Sequence, residues 1–277
     1  MAGRYRQGVT GGSVVVSPAS RAHRSMPSGA TTVPGVADYD IHFHFDPICP
    51  FAWLTSRWVV DVARQRDYSV DWRFISLRLL NSHVDYDAHF PPDYEQGHTS
   101  GLKLLRVCAA ARAAHGREVI GPLYEAMGSS IFDVDPPQDP AATRSLWSSA
   151  DRVAPQLESI GLPTALVDAL DDPLFDAEIQ AETDDALSRT GSDVGTPIIH
   201  FEPPDGMAFF GPVISQQPPP DRAVELWDHV IALAAFPGFS EMKRSLREVP
   251  QLRSFGVDPA DDAVEQDWHA GSRRLKK

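Results

Sequence analysis

The run Ile41-His42-Phe43-His44-Phe45-Asp46-Pro47-Ile48-Cys49-Pro50-Phe51-Ala52-Trp53-Leu54 decides how this chain is read. Its first five residues alternate apolar and polar, the pattern of a strand with one covered face. Beyond Pro50, the residues Phe51, Leu54, Thr55, Trp58, Val59 and Val62 recur at spacings of 3 and 4, which predicts a helix to about Arg66. Proline suits the first turn of a helix, where its missing N–H has no partner to lose. Val70-Asp71-Trp72-Arg73-Phe74-Ile75 then alternates again as a second strand. A strand–helix–strand unit of this kind is parallel and right-handed. Cys49 therefore falls at the C-terminal end of the first strand and the N-terminus of the helix, the edge where open sheets place their chemistry.

Outward from that unit the character changes. Residues 93–191 read as helix throughout, with helices at about Tyr94–Ala114, Glu118–Met127 and Pro140–Ile160, a short one after Pro163, and a last one from Asp172-Pro173 to before Gly191. Strand character returns at Thr196–Phe201 and Met207–Phe210, joined by the turn-rich Glu202-Pro203-Pro204-Asp205-Gly206 as a hairpin. Helices follow at about Asp221–Phe236 and Ser240–Arg247. The order is βαβ, an all-helical insert, ββ and α. That is an α/β chain with the thioredoxin fold, a large all-helical insertion spliced into its middle. The expected organisation is a disordered extension over 1–37, a thioredoxin-like domain from 38–92 and 192–247, a helical insertion over 93–191, and a loose polar tail over 248–277.

Composition narrows the function. The chain has 277 residues, 42% of them hydrophobic, with a formal net charge of −13. That acidity argues against a nucleic-acid or anionic-membrane surface, since both need basic patches. No apolar run reaches the length of a transmembrane helix. Residues 1–37 carry Arg4, Arg6, Arg21 and Arg24 and no acid, but their longest apolar run is Val14-Val15-Val16, too short for a secretory signal. The expected location is the cytoplasm, where cysteines stay reduced and serve reactivity. Two cysteines, Cys49 and Cys108, are too few for a disulfide framework or a cysteine-built zinc site.

The two differ in setting. Cys49 at a helix start faces unpaired N–H groups and the positive end of the helix dipole, which favour a thiolate. Comparable sites lower a thiol pKa from about 8.5 into roughly 3.5–7.5. Cys108 lies on the apolar stripe Leu104, Val107, Cys108, Ala111 of its helix and reads as structural. Cys49-Pro50-Phe51-Ala52 has alanine where a Cys-x-x-Cys pair has its second thiol. A mixed disulfide on Cys49 must then be resolved by an outside small thiol. The second active-edge feature is Val194-Gly195-Thr196-Pro197, a proline opening a strand. In the thioredoxin fold the bond before this proline is characteristically cis, and X–Pro is the bond type for which cis is cheap, so a cis Thr196–Pro197 bond is expected, setting the Thr196 backbone beside Cys49.

The segment Phe45–Trp58 resembles the active-site segment of the mycothiol-dependent nitroreductase family, DsbA-like thioredoxin-fold proteins. Further motifs continue the resemblance: Ser76-Leu77-Arg78-Leu79-Leu80-Asn81, Pro122–Gly128, Asp193–Pro197 and Ala208-Phe209-Phe210-Gly211-Pro212-Val213. It spans about 39–247 and implies reduction of disulfides or small electrophiles, nitroaromatics among them, with mycothiol as co-substrate and reductant. Members of the family that carry a dithiol have a second cysteine where Ala52 stands, so the resemblance implies a monothiol variant. Kappa-class glutathione transferases and chromene-carboxylate isomerases share the insert and use one Ser or Cys, so a transferase or isomerase is an alternative. A redox-inactive thioredoxin-like binding protein is another. The expected partners are a low-molecular-weight thiol and a small electrophile, with homodimerisation left open.

Around Cys49, the candidate thiol- or substrate-binding residues are Thr196, Pro197, Asn81, Tyr94 and Trp53. Asn81 follows the second strand, which places it near Cys49 or simply in a turn. Tyr94 opens the insert, and Phe51 and Trp53 flank the nucleophile. His42, His44, His83, His89 and His98 invite a metal reading, but no carboxylate or cysteine partner has ligand spacing, and no metal is expected. No phosphate-binding glycine motif is present.

Overall fold

The computed structural model describes residues 39–91, 93–243, 247–257 and 265–266. The expected disordered extension over 1–37 lies outside them. Strand β1 (Ile41–Phe45) leads into helix α1 (Pro50–Arg66) and strand β2 (Val70–Phe74). The short helices α2 (Leu77–Leu80) and α3 (Tyr86–His89) follow, then α4 (Tyr94–His115), α5 (Ile120–Phe132), α6 (Pro140–Leu146), α7 (Ala150–Ser159) and α8 (Asp176–Thr190). Strands β3 (Ile198–Phe201) and β4 (Ala208–Phe210) and helix α9 (Ala223–Ala234) complete the thioredoxin fold. The sheet runs β2-β1-β3-β4, with β1 and β2 parallel and β3 antiparallel to both β1 and β4.

Register separates two chemistries across the sheet. Ile41 pairs with Val70 and Phe201, and Phe43 with Trp72 and Ile199, so one face is apolar. Helices α1, α5 and α9 cover it: Tyr124 stacks on Phe45 at 3.9 Å, and Trp227 meets both Phe201 and Trp58. The opposite face carries His42, His44, Asp71, Arg73 and His200, with α8 over it. The alternation in β1 predicts one covered face, but both are covered, and His44 and His200 have no exposed surface. Burial of each apolar side chain on the first face contributes about 1.5–3 kcal/mol.

Three expectations fail locally. The helix predicted over Pro140–Ile160 is two, α6 and α7. Ser148 bonds Ser100 on α4 at 3.2 Å, and Ser100 in turn donates to the Arg144 carbonyl, which ties the chain down where Ser149 starts the next helix. The helix predicted over Ser240–Arg247 is absent at 240–243, and Arg247–Glu248 forms strand β5 against β6 (Glu265–Gln266). The tail is not loose where it is described. Gln251 donates to the Ser215 carbonyl at 2.7 Å, and Leu252 joins the main core. Most of 258–277 lies outside the described residues.

Candidate active site

Cys49 is the N-cap of α1, with φ −85° and ψ 114°, and Pro50 occupies the first turn. The Ala52 N–H donates to Sγ at 3.5 Å, and the thiol donates to the Thr196 carbonyl at 3.5 Å. The Thr196–Pro197 bond is cis, as the strand-opening proline predicts. Thr196 Oγ1 donates to the His44 carbonyl at 3.2 Å, so the loop is fastened to β1. From behind, the Gly211 N–H reaches the Pro197 carbonyl at 2.8 Å, and Thr55 of α1 reaches the Pro212 carbonyl at 2.8 Å.

The thiol itself departs from expectation. Cys49 is only 7% exposed, and burial pushes its pKa up to about 12, aided by the negative charge of Asp46. The N–H groups of Ala52 and Phe51 pull the other way and lose. Two helix-start donors do not outweigh desolvation here. Cys108 is raised to about 12 as well, again by burial.

Asp46 was absent from the sequence-derived candidates. It is fully buried and accepts from the Ile48 N–H at 3.2 Å and the Leu77 N–H at 2.8 Å. Desolvation lifts its carboxyl to about 7 against those two donors. Helix α4 closes over it because residue 101 is glycine: a Cβ there would lie 2.4 Å from Asp46 Oδ1 and 2.9 Å from Ile48 Cγ1. The sequence signal available was an acid at the end of the first strand, three residues before Cys49.

The other candidates divide. Phe51 is buried beside Cys49, and Ala52 is wholly buried, its N–H on the sulfur. Burial raises the Tyr94 hydroxyl pKa, opposed by the charge of Arg144 and aided to a smaller degree by Cys49. Asn81 caps α2, its amide donating to the Leu77 carbonyl at 2.8 Å. Trp53 is buried in the core. Its ring is buried against Tyr124 and Phe132 and pressed on Gly128, where a Cβ would lie 2.1 Å away, while Arg57 stacks over it at 4.3 Å. Among the described residues no group of three or more His, Cys, Asp or Glu side chains is placed to hold a metal ion, and no helix is long and apolar enough to cross a membrane.

Fold and site together define a thioredoxin-fold protein with one thiol at the C-terminal end of β1 and the N-cap of α1. The family model described as Rv2466c-like, mycothiol-dependent nitroreductase Rv2466c, matches residues 48–244, and the chain belongs to that family. It is 32% identical over 206 residues to the uncharacterized protein Rv2286c of Mycobacterium tuberculosis, covering 74% of this chain and 81% of the relative. Similar solved structures include a protein disulfide isomerase-like protein from Nitrosomonas europaea, at TM-score 0.46 and 12% identity over 71% of this chain and 98% of the other. DsbA from Proteus mirabilis matches at TM-score 0.41 and 16% identity, over 73% and 90% of the two chains. The family is one of thiol oxidoreductases.

Proposed function

We propose that the chain is a single-thiol oxidoreductase whose nucleophile is Cys49 and whose reductant is a low-molecular-weight thiol, mycothiol by family. The observation that carries this reading is the position of Sγ, between the Ala52 N–H and the Thr196 carbonyl, with a fully buried alanine where a resolving thiol would stand. In the proposed cycle the Cys49 thiolate attacks one sulfur of a disulfide RS–SR. The Cys49–S–SR bond forms and RS⁻ leaves. A second thiolate then attacks the substrate sulfur of that adduct, and Cys49 is released as the thiolate. Each turnover of Cys49 consumes one small thiol R′SH and gives RSH and the mixed disulfide R′S–SR, which a second R′SH reduces to RSH and R′S–SR′, and the protein is left unchanged. The backbone carbonyl of Thr196 and the N–H of Ala52 are the groups that would align an incoming disulfide. Cys108 takes no part, since its sulfur is buried against Met127 Sδ at 3.8 Å.

Intact mass after incubation with oxidised mycothiol, and in parallel with oxidised glutathione, tests this. One adduct per chain is expected, on Cys49, persisting until free thiol is added and absent in Cys49→Ser. No adduct with either disulfide would move the reading to a transferase, an isomerase or a binding protein.

A further inference from the structure

Hydrogen bonds join two proline-bearing loops and α1 into a ring that includes Cys49. The first loop is Thr196-Pro197, which enters β3, and the second is Gly211-Pro212, which leaves β4. A proline offers the backbone a carbonyl and no N–H, so each loop is held at that residue only as an acceptor. Both carbonyls are taken. Ile198 pairs with Phe210 in the β3–β4 ladder, and the Gly211 N–H on the Pro197 carbonyl at 2.8 Å carries that ladder one step further. Gly211 then turns the chain at φ 103°, where glycine is favoured, and the Pro212 carbonyl accepts from Thr55 Oγ1 at 2.8 Å. Thr55 lies on α1, six residues beyond Cys49, and has no exposed surface.

The ring closes at the sulfur. Cys49 caps the same helix, and its thiol donates to the Thr196 carbonyl at 3.5 Å. Thr196 Oγ1 donates to the His44 carbonyl of β1 at 3.2 Å. Thr196 is therefore fixed by two routes, one to β1 through its own hydroxyl and one to α1 through Pro197, Gly211, Pro212 and Thr55. The second route contains a single side-chain group, the Thr55 hydroxyl. Its other hydrogen bond runs from backbone to backbone. Without that hydroxyl the Pro212 carbonyl loses this donor, and the Gly211-Pro212 segment loses its tie to α1.

We infer that Thr55 is a positioning residue for the Cys49 reaction, holding the Thr196 carbonyl beside the sulfur through Pro212, Gly211 and Pro197. At rest that carbonyl accepts the thiol proton. The proton is gone once Cys49 attacks, and the carbonyl then needs another donor, which an N–H of the incoming disulfide supplies. An acceptor already fixed in place costs no ordering at that moment. Thr55 itself makes and breaks no covalent bond. The inference rests on the proposed single-thiol function, because it names what sets the geometry around that thiol.

The test compares two neutral probes, N,N′-diacetylcystamine, which carries an amide N–H close to its sulfur, and diethyl disulfide, which carries none. With each, the Cys49 thiolate attacks one sulfur, Cys49–S–SR forms and RS⁻ leaves, so intact mass gives both second-order rate constants. Their ratio cancels changes in thiolate fraction and access that the probes share. Thr55→Val keeps the shape and removes the hydroxyl, and it should lower the amide-to-ethyl ratio about tenfold, the scale of one hydrogen bond. Thr55→Ser should restore most of the ratio. Thr55→Ala, a better helix former, should lower it as Thr55→Val does and serves if the valine variant does not fold. A ratio unchanged in the folded variant, with both rates moving together, would assign Thr55 to packing and overturn the inference while the thiol reading stands. A wild-type Cys49 inert to both probes would overturn both.

Discussion

Cys49 and Cys108 are buried alike, and burial raises both thiols to about 12. They differ in what surrounds the sulfur. Cys49 sits between a backbone donor and a backbone carbonyl, at a helix start that follows the Asp46–Ile48 turn on which α4 closes at Gly101. Cys108 sits mid-helix on α4 with a thioether as its nearest polar neighbour. The contrast shows that a resting pKa does not identify a reactive cysteine. What marks Cys49 is a set of backbone groups already aimed at a second sulfur, which becomes useful once a substrate or water relieves the desolvation.

The comparison breaks most readily at the nucleophile. Cys49→Ser should lower disulfide turnover by at least about a thousandfold, the scale seen when a nucleophile is removed. Cys108→Ala should leave turnover within about twofold, and equal losses in the two variants would erase the distinction.

A second break is mechanical. Gly128→Ala drives a methyl into the Trp53 ring, and overpacking of this kind costs about 1–3 kcal/mol or more. Urea denaturation should show that loss. If stability were unchanged, the close approach of α5 to α1 behind the Cys49 helix would be wrong.

The electrostatic part of the contrast is carried by Asp46, whose charge opposes the Cys49 thiolate. Asp46→Asn should raise the rate of Cys49 alkylation by iodoacetamide at pH 8 by about threefold to tenfold, since each pKa unit is tenfold in thiolate. The same residue predicts a pH effect on stability. Its folded pKa of about 7 lies above the unfolded value of 3.8, so its contribution is full below pH 3.8 and is lost as pH rises through 7. Asp46→Asn should flatten that loss. His44 has the opposite sign: its folded pKa of about 3 lies below 6.5, so stability falls as pH drops from 6.5 toward 3. Thermal melts of His44→Leu should show less acid sensitivity than the parent between pH 6 and 4.

The smallest effect sharpens the structural side. Cys108→Ala removes one sulfur from a packed site against Met127, and loss of a group that size costs about 1 kcal/mol. A cost near zero would mean the site relaxes around the gap.

Much of this architecture was legible before the structure. The alternation in Ile41–Phe45 and the proline at the helix start are local signals, and they specify the strand and the N-cap position of Cys49 without reference to distant residues, whereas the cis Thr196–Pro197 bond followed from the fold that the order of elements implies. The helix break at Ser148-Ser149 was not legible, because it depends on a hydrogen bond to Ser100 on another helix. Leu252 read as part of a polar tail, because one leucine among polar neighbours gives no periodic signal. Trp53 read as a site residue by proximity in sequence, yet its side chain points to Gly128 on α5.

The sequence alone determined the order of elements, the single thiol and its place at a helix N-terminus, because these follow from residue type and spacing within a few turns of chain. Only the tertiary structure decided the burial of that thiol, the sealing of Asp46 and the neutral, buried state of His44. Each of those is set by how much water the surrounding elements exclude and by charges on helices far away in sequence, and neither quantity is written in any local pattern.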